Sequence, residues 1–419
     1  MSDNMELALP IAPPYIKDFE QLGLGMFVHF GLYSQLRHGE WVMNLHRIPK
    51  EEYRALAQTF CPAEDSMYRL ASLAKDAGCR YICMTTRHHD GFSLYDTCGL
   101  NEYDAPHSGA GRDIVREFVD ACRAFGLIPF FYHTTLDWNH PDFEGDFESY
   151  LGYLRQSVEL LCKNYGKIGG LWFDGNWSRP DADWQEDALY SLIRSYQPTA
   201  MIINNTGLEK RGEKGNEHID SLTYERGLPT PIDRRGMKKY VAGEMCETLN
   251  DHWGDADDLN FKPVRQLIEE ICDCRKIGAN MLLNIGPAGD GHVPLMATAT
   301  MMAIGQWMNI YGRAIYNGRP YIVHAEQRDF ILRDIKDEKT FYAFKYDLGI
   351  GGSANVTIEN GGSGVAVFDG FEHEVASIYW MDNGQTLAFE QKQGCLRIAC
   401  NNFCYGTNHC VRVAEIKIR

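Results

Sequence analysis

Eight short apolar runs, most of them separated by stretches of helical periodicity, constrain this chain more than any other feature. They are Gly25–Phe30, Tyr81–Thr86, Leu127–His133, Gly170–Asp174, Ala200–Asn204, Asp220–Tyr224, Tyr240–Glu244 and Asn280–Ile285. Each is rich in β-branched, aromatic or small apolar residues and too short for a buried helix. Helical patterns fill Ser66–Ala77, Asp113–Phe125, Phe147–Tyr165, Trp184–Ser195 and Pro263–Ile277, with Gly126 and Gly278 positioned as C-caps. A helical crossover returns the next strand parallel to the last, so the alternation predicts an α/β fold, a (β/α)8-like barrel. Little helix separates the sixth and seventh runs, and the barrel is expected to be irregular there.

After a helical stretch over Leu295–Tyr311 the apolar period drops towards two. Phe330–Asp334, Thr340–Tyr346, Asn355–Ile358, Val375–Trp380, Leu387–Phe389, Cys395–Ala399 and Val411–Lys417 read as short strands of a small C-terminal all-β sandwich. The expected organisation is a catalytic barrel over residues 1–320 and a β-sandwich over 321–419.

In such a barrel the residues that end each strand line one rim, where ligands bind. The fourth run ends on Asp174, and Gly175 turns the chain at once, between Trp172 and Trp177. The other ends supply His29, then His88 and His89, Tyr132, Asn204 and Asn205, Glu225 and Arg226, Glu244, and Asn284. Histidines and Tyr offer donors and acceptors, carboxylates offer acid–base chemistry, and tryptophan faces pack on the C–H face of a sugar. The set suits a neutral, hydroxyl-rich ligand.

Other functions are disfavoured. No GxGxxG or P-loop is present, so no nucleotide cofactor is expected. With 41 Lys and Arg against 57 Asp and Glu, and no basic run, nucleic acid is not an expected partner. No apolar run reaches the roughly eighteen residues of a membrane span. Adjacent histidines in an extended segment point to opposite sides, which argues against a metal at His88 and His89. Cys400, Cys404, His409 and Cys410 lack standard zinc spacing and read as free thiols. Thirteen scattered cysteines and an acidic start without a signal peptide fit a reducing cytoplasm, although a processed secreted chain would also lack its signal.

Six stretches carry a resemblance: Gly25–Gly31, His38–Trp41, Thr86–Phe92, Leu171–Gly175, Glu244–Gly254 and Gly278–Pro287. In them the sequence resembles the α-L-fucosidases of glycoside hydrolase family 29, and together they run through nearly all of the expected barrel. The resemblance implies retaining exo-hydrolysis of α-L-fucosides, with fucosides or fucosylated glycans as substrate and no cofactor. It implies Asp174 as nucleophile. It gives His29, Glu40, Trp41, His88, His89, Tyr132 and Trp172 to the sugar pocket, with Trp253 shielding the sugar's methyl group.

The chain departs from the family after strand five. Many members carry Asn-Asp-Arg-Trp there, where this sequence has Asn204-Asn205-Thr206-Gly207. The arginine is missing, and Arg226 is the replacement at hand. For the acid/base three glutamates compete. Glu225 ends an apolar run and matches the larger branch of the family; Glu217 sits in a Gly-Asn-Glu sequence used by some relatives; Glu244 lies in a stretch typical of the family. Glu225 is the expected acid/base. A related exo-glycosidase acting on a fucose-like sugar such as an α-L-galactoside, and a catalytically silent carbohydrate-binding protein, stand as alternatives. The oligomeric state stays open.

Overall fold

In a computed structural model, which describes residues 9–353 and 364–419, the eight apolar runs form one closed sheet. The strands are β1 (Leu24–Val28), β2 (Tyr81–Arg87), β3 (Ile128–Thr134), β4 (Gly170–Asp174), β5 (Met201–Asn204), β6 (Ser221–Glu225), β7 (Ala242–Thr248) and β8 (Asn280–Ile285). All pair parallel in chain order, and β8 closes on β1 through Leu24↔Met281 to Val28↔Ile285. Among the described residues no helix is long and apolar enough to cross a membrane.

Inside the barrel, Phe27, Tyr81, Phe130, Tyr132, Trp172, Met201, Ile203 and Leu282 pack together. The helix Pro14–Glu20, absent from the predicted set, adds Ile16 and Phe19 to them. Each such side chain contributes roughly 1.5–3 kcal/mol by leaving water. Gly25 is required by this packing: a Cβ there would lie 2.4 Å from the Tyr81 ring, which crosses the interior at that level.

The expected irregularity is present and extends one strand earlier. Among the described residues no helix separates β5 from β6 or β6 from β7. β5 and β6 share a single register pair, Ile203↔Ser221. Asp220 stands in for the missing ladder. Its buried carboxylate accepts from the Ile202 N–H (2.7 Å) and the Tyr15 hydroxyl (2.8 Å) and pairs with Lys239 and Arg194.

One expected boundary needs correction. The seventh strand does not end at Glu244 but runs on to Thr248, so Glu244 is a mid-strand residue. It points into the barrel, where its carboxylate accepts from the Tyr81 hydroxyl (2.5 Å) and the Trp172 indole (2.9 Å). A carboxylate paired in this way does not terminate a strand, which a polar residue after an apolar run had suggested.

The chain divides into two compact units. One runs to Lys262 and resumes over Asn280–Met302; the other comprises Pro263–Ala279 and Ala303–Arg419, and so takes in segments before the boundary expected at 320. In the second unit, among the described residues, a four-stranded and a five-stranded antiparallel sheet form the sandwich. Phe341, Phe368, Phe371, Trp380, Leu396, Ile398 and Ile416 make its core. Three strands there were not predicted: Gly318–Tyr321, His324–Ala325 and Val365–Asp369. The run expected over Asn355–Ile358 lies outside the described residues. None of the thirteen cysteines, all among the described residues, is in a disulfide.

Candidate active site

A cavity of about 1410 Å³ opens at the C-terminal rim of the barrel. Its lining includes His29, Glu40, Trp41, His88, His89, Tyr132, Trp172, Asp174, Glu225, Arg226 and Trp253, and also Trp177 and Asn205. Of the residues singled out from sequence, Glu217, Glu244 and Asn284 are not part of that lining.

Asp174 ends β4 because Gly175 turns the chain with φ +119, a conformation strained for any other residue. A Cβ there would also lie 2.7 Å from the Leu136 backbone nitrogen. The Asp174 carboxylate accepts from the Tyr132 hydroxyl (3.0 Å), the Trp177 indole (2.8 Å) and the Asn205 amide (3.2 Å). Burial pushes its pKa up, and these donors pull against that shift. Tyr132 is held for the task by its ring, which stacks on Trp172 at 20° and on His88 at 10°.

Glu225 ends β6 and accepts from the same Asn205 amide at 2.8 Å. One nitrogen therefore contacts both carboxyls, and the facing oxygens can be no more than about 6 Å apart. Burial, and then the negative charge of Asp174, push the Glu225 pKa up to about 7. The two carboxyls thus differ: one rich in donors, the other with a single donor and a charged neighbour.

The histidines are neutral acceptors. Burial holds His29 and His89 down to about 3 and His88 well below its ordinary value. Asn284 gives its amide N–H to Trp253 O (2.7 Å), so its oxygen faces His29 Nδ1 (2.7 Å) and that nitrogen must donate. The Thr134 hydroxyl gives its proton to Leu136 O (2.5 Å), so His89 Nδ1 donates to Thr134 Oγ1 (2.7 Å). Both rings are left with a lone pair on Nε2, suited to accept from a ligand hydroxyl. His89 Nε2 stands 3.6 Å from Asp174 Oδ2.

His88 and His89 do not point apart, as the extended-segment argument expected. They follow the end of β2 in a turn closed by the Gly91 N–H to His88 O bond (3.0 Å), and their ring centroids are 4.2 Å apart. Even so, among the described residues no three His, Cys, Asp or Glu side chains are grouped to hold a metal ion.

Glu40, from the loop after β1, accepts from the Trp253 and Gly254 N–H groups (3.1 and 2.9 Å), tying that loop to the one after β7. Trp41 stacks on Trp177 at 24° and meets His89 edge-on. Trp253 packs beside His29 (5.1 Å), and the Arg226 guanidinium lies 5.4 Å over its ring. Arg226 donates to Asp251 O (2.6 Å) and has a positive φ of 48, a strained backbone at the rim.

Of the competing glutamates, Glu217 is exposed and paired with Lys238 Nζ at 2.8 Å, which holds its pKa down. Glu244 lies beneath the cavity, locked to Tyr81 and Trp172. The sequence places Asn205 at the rim without a role towards the carboxyls, and it offers Trp177 as an apolar wall without fixing its indole on Asp174. A polar doublet at a strand end was the signal for Asn205; nothing local marked its two partners.

The family model described as Alpha-L-fucosidase matches residues 12–313. The chain is 26% identical over 354 residues to the tissue alpha-L-fucosidase of Mus musculus, covering 78% of this chain and 76% of that one. Among solved structures, alpha-L-fucosidase isoenzyme 1 from Paenibacillus thiaminolyticus is similar with a TM-score of 0.81 and 29% identity, over 97% of this chain and 99% of that one. A trapped covalent intermediate of a Bacteroides thetaiotaomicron alpha-L-fucosidase shares the fold at 22% identity, TM-score 0.81, over 98% of each chain.

Proposed function

The chain belongs to the α-L-fucosidase family, and on that premise we propose that it hydrolyses α-L-fucosides with retention of configuration, by double displacement. Asp174 is the nucleophile and Glu225 the acid/base. One observation carries the reading: two rim carboxyls share one donor within about 6 Å, nearer to the ~5–5.5 Å of retaining glycosidases than to the ~6.5–9.5 Å of inverting ones.

In the first step Asp174 Oδ attacks the anomeric carbon as the bond to the leaving oxygen breaks. Glu225 gives that oxygen its proton, and a β-linked fucosyl ester remains on Asp174. In the second step water attacks the same carbon, gives a proton to Glu225, and frees Asp174 and α-L-fucose. The donors around Asp174 favour its ionised form, while a Glu225 pKa of about 7 keeps a proton available near neutrality. His29 and His89 accept from sugar hydroxyls through Nε2, and Trp253 covers an apolar edge of the ring. Arg226, beside Trp253, is the cation nearest to the role of the missing arginine.

The test is an aryl α-L-fucoside, with the first-formed sugar followed by proton NMR. Retention predicts that α-L-fucose accumulates before mutarotation. First-formed β-L-fucose would overturn the double displacement. Binding of fucose without turnover would favour the silent binder, and faster turnover of the aryl α-L-galactoside would favour that sugar.

A further inference from the structure

Asn205 is a built residue rather than a chance polar neighbour. It is 5% exposed, and its backbone N–H is fixed to Phe173 O at 2.8 Å. Its amide can face only one way. Oδ1 accepts from the Thr223 hydroxyl and the Gly207 N–H, each at 3.2 Å. Thr223 Oγ1 in turn accepts from the Thr206 N–H (3.3 Å), leaving its own proton for Asn205. The NH2 group therefore faces the cavity, with one hydrogen for Asp174 Oδ1 and one for Glu225 Oε2.

We propose that Asn205 is a positioning residue that serves the two catalytic carboxyls in turn, as a shared neutral donor that faces one carboxylate in every state of the cycle. The inference rests on the double displacement assigned above. In the free enzyme Asp174 is ionised and Glu225 protonated. In the intermediate Asp174 is an ester and Glu225 has lost its proton to the leaving group. The negative charge has moved across the amide, and the bond that was charge-assisted on one side becomes so on the other. No side chain has to move, so the donor is already in place when charge develops. A guanidinium here would hold both carboxyls ionised and strip Glu225 of the proton the first step needs; a neutral amide orients both and leaves the acid protonated.

Two variants test this. Asn205→Asp keeps an oxygen for Thr223 and Gly207, so any purely structural duty survives, but it replaces the shared donor by a third acid. Asn205→Ala removes both halves. With melting temperatures checked, both should lower kcat by about 10- to 100-fold while KM changes little. Loss of the donor disfavours both ionised carboxyls, so both limbs of the kcat/KM pH profile should move to higher pH, furthest on the alkaline side in Asn205→Asp. Asn205→Asp at the wild-type rate, or variants whose pH limbs coincide with the wild type, would overturn the proposal while leaving the double displacement intact. A wild type that forms β-L-fucose first, or an active Asp174→Asn, would instead remove the reading on which it rests.

Discussion

The hydroxyl of Tyr132 lies 3.0 Å from Oδ2 of Asp174, and the ring that carries it is clasped between Trp172 and His88. The phenol cannot swing away, so the proposed nucleophile keeps one carboxylate oxygen oriented. The orientation is set by the stacking of two uncharged rings rather than by another charge.

Replacing Asp174 by Asn keeps the shape of the side chain and removes the attacking oxygen. Turnover of an aryl α-L-fucoside should fall by at least about 10⁴-fold, with stability within about 1 kcal/mol of wild type. Azide added to Asp174→Ala should restore part of the rate and yield β-L-fucosyl azide, the product of direct displacement. Near-wild-type hydrolysis by Asp174→Asn would end the assignment.

Glu225→Ala should discriminate between leaving groups. Activated aryl groups need no protonation, so the first step survives on them, while fucosides of simple alcohols should lose about 10²–10⁴-fold. Azide intercepts the ester without a general base, and the product should be α-L-fucosyl azide, of retained configuration. Glu217→Gln, at an exposed ion pair with Lys238, should leave both substrates unaffected. Equal fractional losses by Glu225→Ala on good and poor leaving groups would remove it from the acid's role.

The pH dependence follows in sign from the two environments. Glu225 must be protonated, so kcat/KM should fall as pH rises through about 7. Asp174 must be ionised, so activity should also fall on the acid side, at a pH above the ordinary aspartate value because burial raises its pKa. On an activated substrate Glu225→Gln should lack the alkaline limb. A limb that persists would belong to another group.

Glu244 has a different signature. Burial raises its pKa to about 7 in the folded chain, so the folded state holds that proton more tightly than the unfolded one. Its stabilising contribution is complete below the unfolded glutamate value near ~4.3 and is lost as pH rises through about 7, an effect of up to about 3 kcal/mol. Glu244→Gln keeps an acceptor for Trp172 and a polar partner for Tyr81. It should melt higher than wild type at pH 8 and similarly at pH 5, with most activity retained. A drop in melting temperature at both pH values would mean that the carboxylate is needed ionised.

Where the sequence was legible, the information was local. Asp174 could be found because an apolar run, a carboxylate and a glycine with a required turn follow one another in the chain. Seven of the eight barrel strands were located to within two or three residues for the same reason. The seventh was cut short because Glu244 looks like a strand end, and only the Tyr81 hydroxyl and Trp172 indole, contributed by β2 and β4, make it an interior residue. Asn205 is legible as a rim residue, but its link to both carboxyls is not. Its meaning lies in the distance between the ends of β4 and β6, which no periodicity encodes. His88 and His89 escape the strand rule because β2 ends at Arg87 and both lie in the turn that follows it.

The single register pair between β5 and β6 has a practical consequence for redesign. The strand of the proposed nucleophile is laced to its neighbours on both sides, whereas the strand bearing Glu225 is laced to β7 but joined to β5 at one point, and it is flanked by helix-free segments over residues 205–220 and 226–241. A library confined to residues 206–219 and 227–241 within those segments would vary the surroundings of Glu225 and leave Asp174 and its donors Tyr132, Trp177 and Asn205 as they are. The fold thus sets a firmly laced strand beside a loosely joined one, and new leaving-group preferences should be sought along that seam.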